Sequence, residues 1–323
     1  MRIGVIGGGA WGTALAQVAA ANGEPVTLWA REHPVVTAIN LAHENTVFLP
    51  GIALSPSIHA TERIDHLAAC DALLVVTPAQ YLRASLAELP TGNRPLVLCA
   101  KGIEAGTMAL MSDIAAELHP KAPVAVLSGP TFAAEVAKGL PTAVTLACTD
   151  VAVARALSQR LARPTFRPYA SDDVTGAEIG GAVKNVLAIA CGVVAGRRLG
   201  QNAQAALIAR GFAEMVRYGV ARGGRAETLS GLSGLGDLVL TCSSTASRNF
   251  SLGVGLGEGK TAATLLSGQT VAEGAFTAPV LQASARVMGV AMPVVDAVCA
   301  LLEGDPADAV VQNLLSRPLR GEA

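Results

Sequence analysis

One lysine in this chain has the type and surroundings for proton chemistry. Lys184 lies in the run 176–191, which apart from Glu178 near its start is small and apolar except for Lys184 and Asn185. Lysines are almost never fully buried unless paired. On an apolar helix, desolvation pulls the ammonium pKa down toward the range where it exchanges protons with substrate. Gly180, Gly181, Leu187 and Ala188 share its helical face, and their size predicts an open groove for a substrate. The structural alternative is a lysine that snorkels to water or pairs with a carboxylate. No histidine competes for the role in this half. All five (His33, His43, His59, His66 and His119) come earlier, none has metal-ligand spacing, and each reads as a solvated side chain. No metal site is expected.

Several other residues have the chemistry of anion binding. Gly7, Gly9 and Gly12 form a G-x-G-x-x-G run between the apolar segment 2–6 and the helical segment 13–21. Strand, glycine turn and helix in that order suit a dinucleotide. Gly7 permits the turn, Gly9 lets the backbone approach a pyrophosphate, and Gly12 lets helix and strand pack closely. The open N–H groups of the helix would hold the pyrophosphate. A structural turn, or a Rossmann ligand such as S-adenosylmethionine, is the alternative. After the second strand, where an acidic residue would bind ribose hydroxyls, the chain reads Ala30-Arg31. An arginine there accepts a 2′-phosphate, which favours NADP. Glu32 keeps NAD open, and a solvated loop arginine is the plain alternative.

Lys101, at the end of a strand, can reach a cofactor or substrate phosphate, or simply face solvent. Ser128-Gly129-Pro130-Thr131 precedes a helix over 132–138 and offers further amides to an anion. Ser247-Arg248-Asn249 joins an arginine to a helix start, a good phosphate grip. Asp237, in the glycine-rich segment 230–242, can orient Lys184 or serve as a helix N-cap. Thr175-x-x-Glu178 reads as a capping box. Asp172 and Asp173 read as turn residues, and Arg210 with Glu214 as a surface pair.

These residues need a particular scaffold. Strands are expected over 2–6, 26–29, 73–76, 96–100, 124–127, 143–147 and 165–169, alternating with helices. That alternation predicts a Rossmann-type, doubly wound, mostly parallel α/β sheet. Beyond Ser171-Asp172-Asp173 strand signals stop and Ala-rich helices continue to the end. Two domains are expected: a dinucleotide-binding domain over 1–173 and an all-α substrate-binding, catalytic domain over 174–323. The length of 323 residues agrees. The last helices, over 293–315, break at Gly304-Asp305-Pro306 and read as packing only.

Composition narrows the function further. A hydrophobic share of 51% with 15% charged residues favours a large core over disorder. A net charge of −1 argues against a nucleic-acid partner, so any anion must be held by a few local cations. The six cysteines have no CxxC spacing and read as small apolar residues of a cytoplasmic protein. No stretch reaches the ~18 uninterrupted apolar residues of a membrane span.

Taken together, these segments resemble the bacterial NAD(P)-dependent glycerol-3-phosphate dehydrogenases. The likeness runs from Ile3 to about Leu315 and rests on GGGAWGTALA, Lys101-Gly102, SGPTFAAEVAKGLPTA, GGAVKNVLAI, GLGDLVLTC followed by SRNF, and VAEG. The resemblance implies that Lys184 takes the C2 hydroxyl proton of sn-glycerol 3-phosphate as hydride leaves for the nicotinamide, and returns it to dihydroxyacetone phosphate in reverse. It implies that Lys101 and Asp237 belong to the catalytic group. Gly129, Thr131, Ser247, Arg248 and Asn249 would line the substrate site. Ala10, Trp11, Arg31, Lys101, Ala133, Arg248, Val271 and Glu273 would join the glycines at the cofactor, NADP(H) before NAD(H). It further implies a cytoplasmic homodimer that supplies glycerol 3-phosphate to phospholipid synthesis. The segment 195–200 is less typical of the family. A related reductase of hydroxy acids or ketopantoate is the second enzyme reading, and an NADP sensor without turnover the non-enzymatic one.

Overall fold

The computed structural model describes residues 1–89, 92–267 and 272–318. The first strand, β1 (Ile3–Ile6), is buried at every position and runs through the glycine turn into α1 (Ala10–Ala20). β2 (Val26–Trp29) and α2 (His33–Ala42) follow, then a small hairpin, β3 (Glu44–Asn45) with β4 (Leu49–Ala53), and β5 (Ile58–Thr61). The chain then crosses to the other side of β1 as β6 (Ala72–Val75), α3 (Leu82–Ala87), β7 (Leu96–Leu98), α4 (Met111–Leu118) and β8 (Val124–Ser128). It closes with α5 (Ala133–Ala137), β9 (Thr142–Cys148), α6 (Val151–Leu161) and β10 (Phe166–Ser171).

The strands form one sheet in the order β10-β9-β8-β7-β6-β1-β2-β5. Neighbours run parallel except β8 and β9. α5 spans only five residues, too short to carry the chain back along the sheet, so β9 returns antiparallel. The strand order reverses at β1, with β2 on one side and β6 on the other. Ligands of open parallel sheets bind beyond the carboxyl ends of the strands at such a reversal. The glycine turn after β1 and the Thr77-Pro78 turn after β6 therefore flank one crevice.

The expected strands are all present, with ends shifted by a residue or two. β5 and the β3–β4 hairpin were not expected: β5 alternates as Ile58-His59-Ala60-Thr61 but is only four residues long, and the hairpin strands carry no such alternation.

The helical part is organised around α7 (Val174–Gly196). α8 (Gln201–Ala221), α9 (Ala226–Leu229), α10 (Asp237–Cys242), α11 (Arg248–Gly257), α12 (Ala262–Leu266), α13 (Glu273–Val287), α14 (Pro293–Glu303) and α15 (Ala307–Leu315) complete it. The expected break at Gly304 is the left-handed cap of α14. α7 is long and apolar enough on average to cross a bilayer, though Glu178, Lys184 and Asn185 interrupt it, and 89% of its most apolar stretch is buried inside the protein. It is a core helix. Glycines make that possible: a Cβ on Gly192 would sit 2.1 Å from the Phe250 carbonyl oxygen, and one on Gly253 2.0 Å from that of Ile189. α7 and α11 thus touch backbone to backbone.

Candidate active site

The crevice at the strand reversal has the features a dinucleotide needs. Gly7 takes a φ of 116°, open to glycine alone at little cost, and a Cβ there would meet the Val76 carbonyl oxygen at 3.0 Å. A Cβ on Gly12 would lie 1.9 Å from the Gly7 carbonyl oxygen, so the helix packs onto the turn itself. Gly9 is the N-cap of α1; no side chain caps it, and its Cβ direction is open to beyond 4 Å. The first amides of α1 therefore face free space with the positive end of the helix behind them. Two buried polar atoms with no partner among the described residues stand on the elements that flank the crevice, Trp11 Nε1 on α1 and Thr77 Oγ1 on the turn after β6. Such atoms are costly unless a ligand or water satisfies them. The crevice fits a dinucleotide.

A residue outside the glycine motif holds this turn. Asn45 is fully buried, and its Nδ2 donates to the Gly8 carbonyl and to Thr13 Oγ1, both at 2.8 Å. Its Oδ1 accepts the Phe48 amide at 3.1 Å. The β3–β4 hairpin is thereby fastened to the cofactor turn. No sequence pattern singles out Asn45, since its partners come from a separate segment.

The catalytic candidates meet where α7 faces the carboxyl edge of the sheet. Asp237, the first residue of α10, is completely buried. Its Oδ1 accepts Lys184 Nζ at 2.5 Å and its Oδ2 accepts Lys101 Nζ at 2.7 Å. Lys184 also donates to Thr241 Oγ1 at 2.8 Å, and Thr241 in turn donates to the Asp237 carbonyl at 2.7 Å. Thr241 was missed, although its spacing of four from Asp237 places both on one helix face. Lys101 also donates to the Gly129 carbonyl at 3.3 Å. Burial pushes the Lys184 ammonium down to about 8 against the opposing pull of Asp237, and the Lys101 charge adds to the fall. One carboxylate thus orders two cations, one of them poised to change charge near neutrality.

The remaining candidates surround this group. Gly129 follows β8 with φ at 159°, and the Thr131 hydroxyl donates to its carbonyl at 3.2 Å. Ser247 caps α11 through the Phe250 amide. Arg248, next in line, is exposed and has no ion pair or hydrogen bond among the described residues. Asn249 is buried and committed to structure: its Nδ2 donates to Asn185 Oδ1 at 3.0 Å, and its Oδ1 accepts the Gly274 amide at 2.9 Å. It so ties α7, α11 and α13 together beside the lysines. Glu273 opens α13, its carboxyl pushed up by burial and drawn back by the charges of Arg248, Lys101 and Lys184. Ala10 and Trp11 on α1 and Ala133 on α5 are each half-buried against the core of the sheet domain, and the two helices are in contact. Arg31 stands exposed just past β2. Val271 lies outside the described residues.

Four expectations are corrected. The glycines beside Lys184 do not open a groove. A Cβ on Gly180 would lie 2.4 Å from the Ser233 carbonyl oxygen, and one on Gly181 2.9 Å from Ser128 Oγ, so they admit the loops that enclose the lysine. Glu178 closes no capping box: Asp173 caps α7 through the Gly176 amide, and buried Glu178 accepts the Ser112 amide at 2.8 Å and hydroxyl at 2.5 Å. Glu214 is no surface partner of Arg210; it is buried and accepts the Val294 amide, at 2.9 Å, at the start of α14. Among the histidines, His33 is not merely solvated, since its Nδ1 lies 2.6 Å from Glu62 Oε1.

The chain matches two family models in tandem. Residues 2–154 match the NAD-dependent glycerol-3-phosphate dehydrogenase N-terminus, and residues 173–312 its C-terminus. A glycerol-3-phosphate dehydrogenase of Sphingopyxis alaskensis, named for NAD(P)+, is 63% identical over 99% of this chain and 98% of its own length. One from Erythrobacter litoralis is 62% identical over the same shares. The crystal structure of the Coxiella burnetii glycerol-3-phosphate dehydrogenase superposes with a TM-score of 0.93 at 37% identity, covering 98% of this chain and 99% of that one.

Proposed function

The chain belongs to the NAD-dependent glycerol-3-phosphate dehydrogenase family, an oxidoreductase family, and from that premise we propose how its own residues carry the reaction. The observation that bears most weight is the buried Asp237 carboxylate holding Lys184 and Lys101 on its two oxygens. Lys184 moves the proton at the C2 oxygen. As the neutral amine it accepts that proton from sn-glycerol 3-phosphate, and as the ammonium it returns it to dihydroxyacetone phosphate. A nicotinamide dinucleotide held by the glycine turn would supply or take up the hydride. Asp237 and Thr241 fix Lys184 Nζ in place, so little reorganisation is needed when the proton moves.

With both lysines protonated, the cluster around Asp237 carries one net positive charge. It faces the same region as the unpaired Arg248, which suits a dianionic phosphate. Lys101, Gly129, Thr131, Ser247, Arg248 and Asn249 form the substrate wall in this reading. The glycine turn, Ala10, Trp11, Arg31, Ala133 and Glu273 hold the dinucleotide, with Val271 as a further cofactor contact. Arg31, without an acidic residue at the ribose position, makes NADP(H) the preferred form and leaves NAD(H) usable.

The division is a cofactor domain over 1–173 and a catalytic domain over 174–323. The physiological direction is reduction, supplying glycerol 3-phosphate for phospholipid synthesis in the cytoplasm; six free, buried cysteines fit a reducing compartment. The half-exposed apolar face of α8, with Phe212 and Val216, supports a homodimer.

The test is loss of reduced-nicotinamide absorbance with dihydroxyacetone phosphate, in the native chain and in Lys184→Ala. Turnover should fall by about 10²–10⁴ in the variant, while NADPH titrated by its fluorescence binds nearly as before. Residual turnover near the native rate would remove Lys184 from the role.

A further inference from the structure

At the cofactor crevice, the edge of the sheet beyond β2 carries a carboxylate–imidazole contact that the reaction itself does not use. β2 and β5 are parallel neighbours in register from Val26 opposite Ile58 to Trp29 opposite Thr61. Their carboxyl ends therefore finish side by side. The Ala30 amide donates to the Thr61 carbonyl at 3.0 Å, and Trp29 Nε1 donates to the Glu62 carbonyl at 2.9 Å. These bonds fix Glu62 directly beside the Ala30-Arg31 step. From there its side chain reaches back to α2, where Oε1 meets His33 Nδ1 at 2.6 Å. The other ring nitrogen of His33 pairs with Thr37 Oγ1 at 3.3 Å, so the imidazole is held at both ends.

Three ionisable residues thus stand at this edge of the sheet: Arg31 with no partner among the described residues and Glu32, both just past β2, and Glu62 just past β5 with its carboxylate on His33. A dinucleotide site that tells the 2′-phosphate from a free 2′-hydroxyl does so by the charge beyond this strand. An acidic residue favours the hydroxyl, and an arginine favours the phosphate.

We propose that Glu62, held in place by His33, is a specificity-determining residue that counterbalances Arg31 and keeps the site open to both phosphorylated and unphosphorylated dinucleotides. The inference rests on the reading of Arg31 as the 2′-phosphate ligand. Where His33 keeps one protonation state, removing the carboxylate makes the site one unit more positive.

The test is direct binding by calorimetry, with NADPH and NADH as probes, on the full-length protein. Glu62→Gln keeps an acceptor for His33 and deletes one charge; Glu62→Lys reverses it. The pair is largely exposed, with side-chain accessibilities of 76% and 47%, so neither change disturbs the core. Glu62→Gln should tighten NADPH about five- to tenfold through one Coulomb interaction in high dielectric, with NADH moving less than about twofold. Glu62→Lys should extend the same trend. An unchanged ratio of dissociation constants overturns the proposal, as does a rise that comes only from weaker NADH binding. Arg31→Ala separates the two readings. If it leaves NADPH affinity intact, the 2′-phosphate site itself is misplaced. If it weakens NADPH alone while Glu62→Gln is silent, Arg31 acts without the counterweight and only the role of Glu62 falls.

Discussion

Lys101 and Lys184 are held on opposite oxygens of one carboxylate, Asp237, at 2.7 and 2.5 Å. Burial and the neighbouring Lys101 charge lower the affinity of Lys184 for a proton, and Asp237 opposes the fall. Lys101 comes from the end of a sheet strand and Lys184 from the core helix, so the contact also joins the cofactor crevice to the helical part.

The pH dependence follows from this arrangement. Lys184 is lowered to about 8, by burial first. Ketone reduction needs the ammonium, so kcat/KM in that direction should fall as pH rises through about 8. Alcohol oxidation needs the free amine and should rise through the same range. Asp237 opposes the shift, so Asp237→Asn should move both limbs to lower pH by about a unit or more. Rate–pH profiles at saturating cofactor decide it; a limb that stays in place would falsify the coupling.

Asn45 should matter to the cofactor and little to the substrate. Asn45→Ala leaves the Gly8 carbonyl and the Phe48 amide without their partner, at about 1–3 kcal/mol. The KM for NADPH should rise about tenfold, and that for dihydroxyacetone phosphate less than about twofold. An equal rise in both would assign the loss to general unfolding.

Glu178 should make the fold less stable as pH rises from about 4.5 to about 7. Burial raises its carboxyl to about 7, against an ordinary value of 4.5. Its contribution is fully present below about 4.5 and is lost as pH rises through about 7, a change on the order of 3 kcal/mol. Glu178→Gln, which cannot ionise, should flatten the decline in Tm between these values. Glu214, raised to about 7 by its own burial, supplies the slope that remains. Parallel Tm profiles for variant and native protein would show that Glu178 ionises freely.

Gly253→Ala tests the contact between α7 and α11. The added methyl has 2.0 Å to the Ile189 carbonyl oxygen, and both atoms belong to helix backbones. Separation of the helices should cost about 2–4 kcal/mol, seen as a lower denaturation midpoint in urea. A midpoint within error of the native one would mean that the helices part without loss.

The sequence by itself determined the local features of this protein. The apolar run, the glycine spacing and the alternation of strands with helices are short-range patterns, and each specifies its own backbone geometry. Lys184 was legible for the same reason, as a charge on an otherwise apolar helix. What only the tertiary structure decided are the partnerships between distant segments. Asn45 on the glycine turn, Glu178 on Ser112, Glu214 on α14 and Glu62 on His33 are contacts between residues whose polar side chains suit a solvated surface equally well. The glycines around Lys184 looked like empty space for a ligand, yet they admit backbone from the Ser233 loop and the side chain of Ser128. A small residue states only that something approaches closely. Which group fills the gap is settled by how sheet and helices pack, and no single segment contains that information.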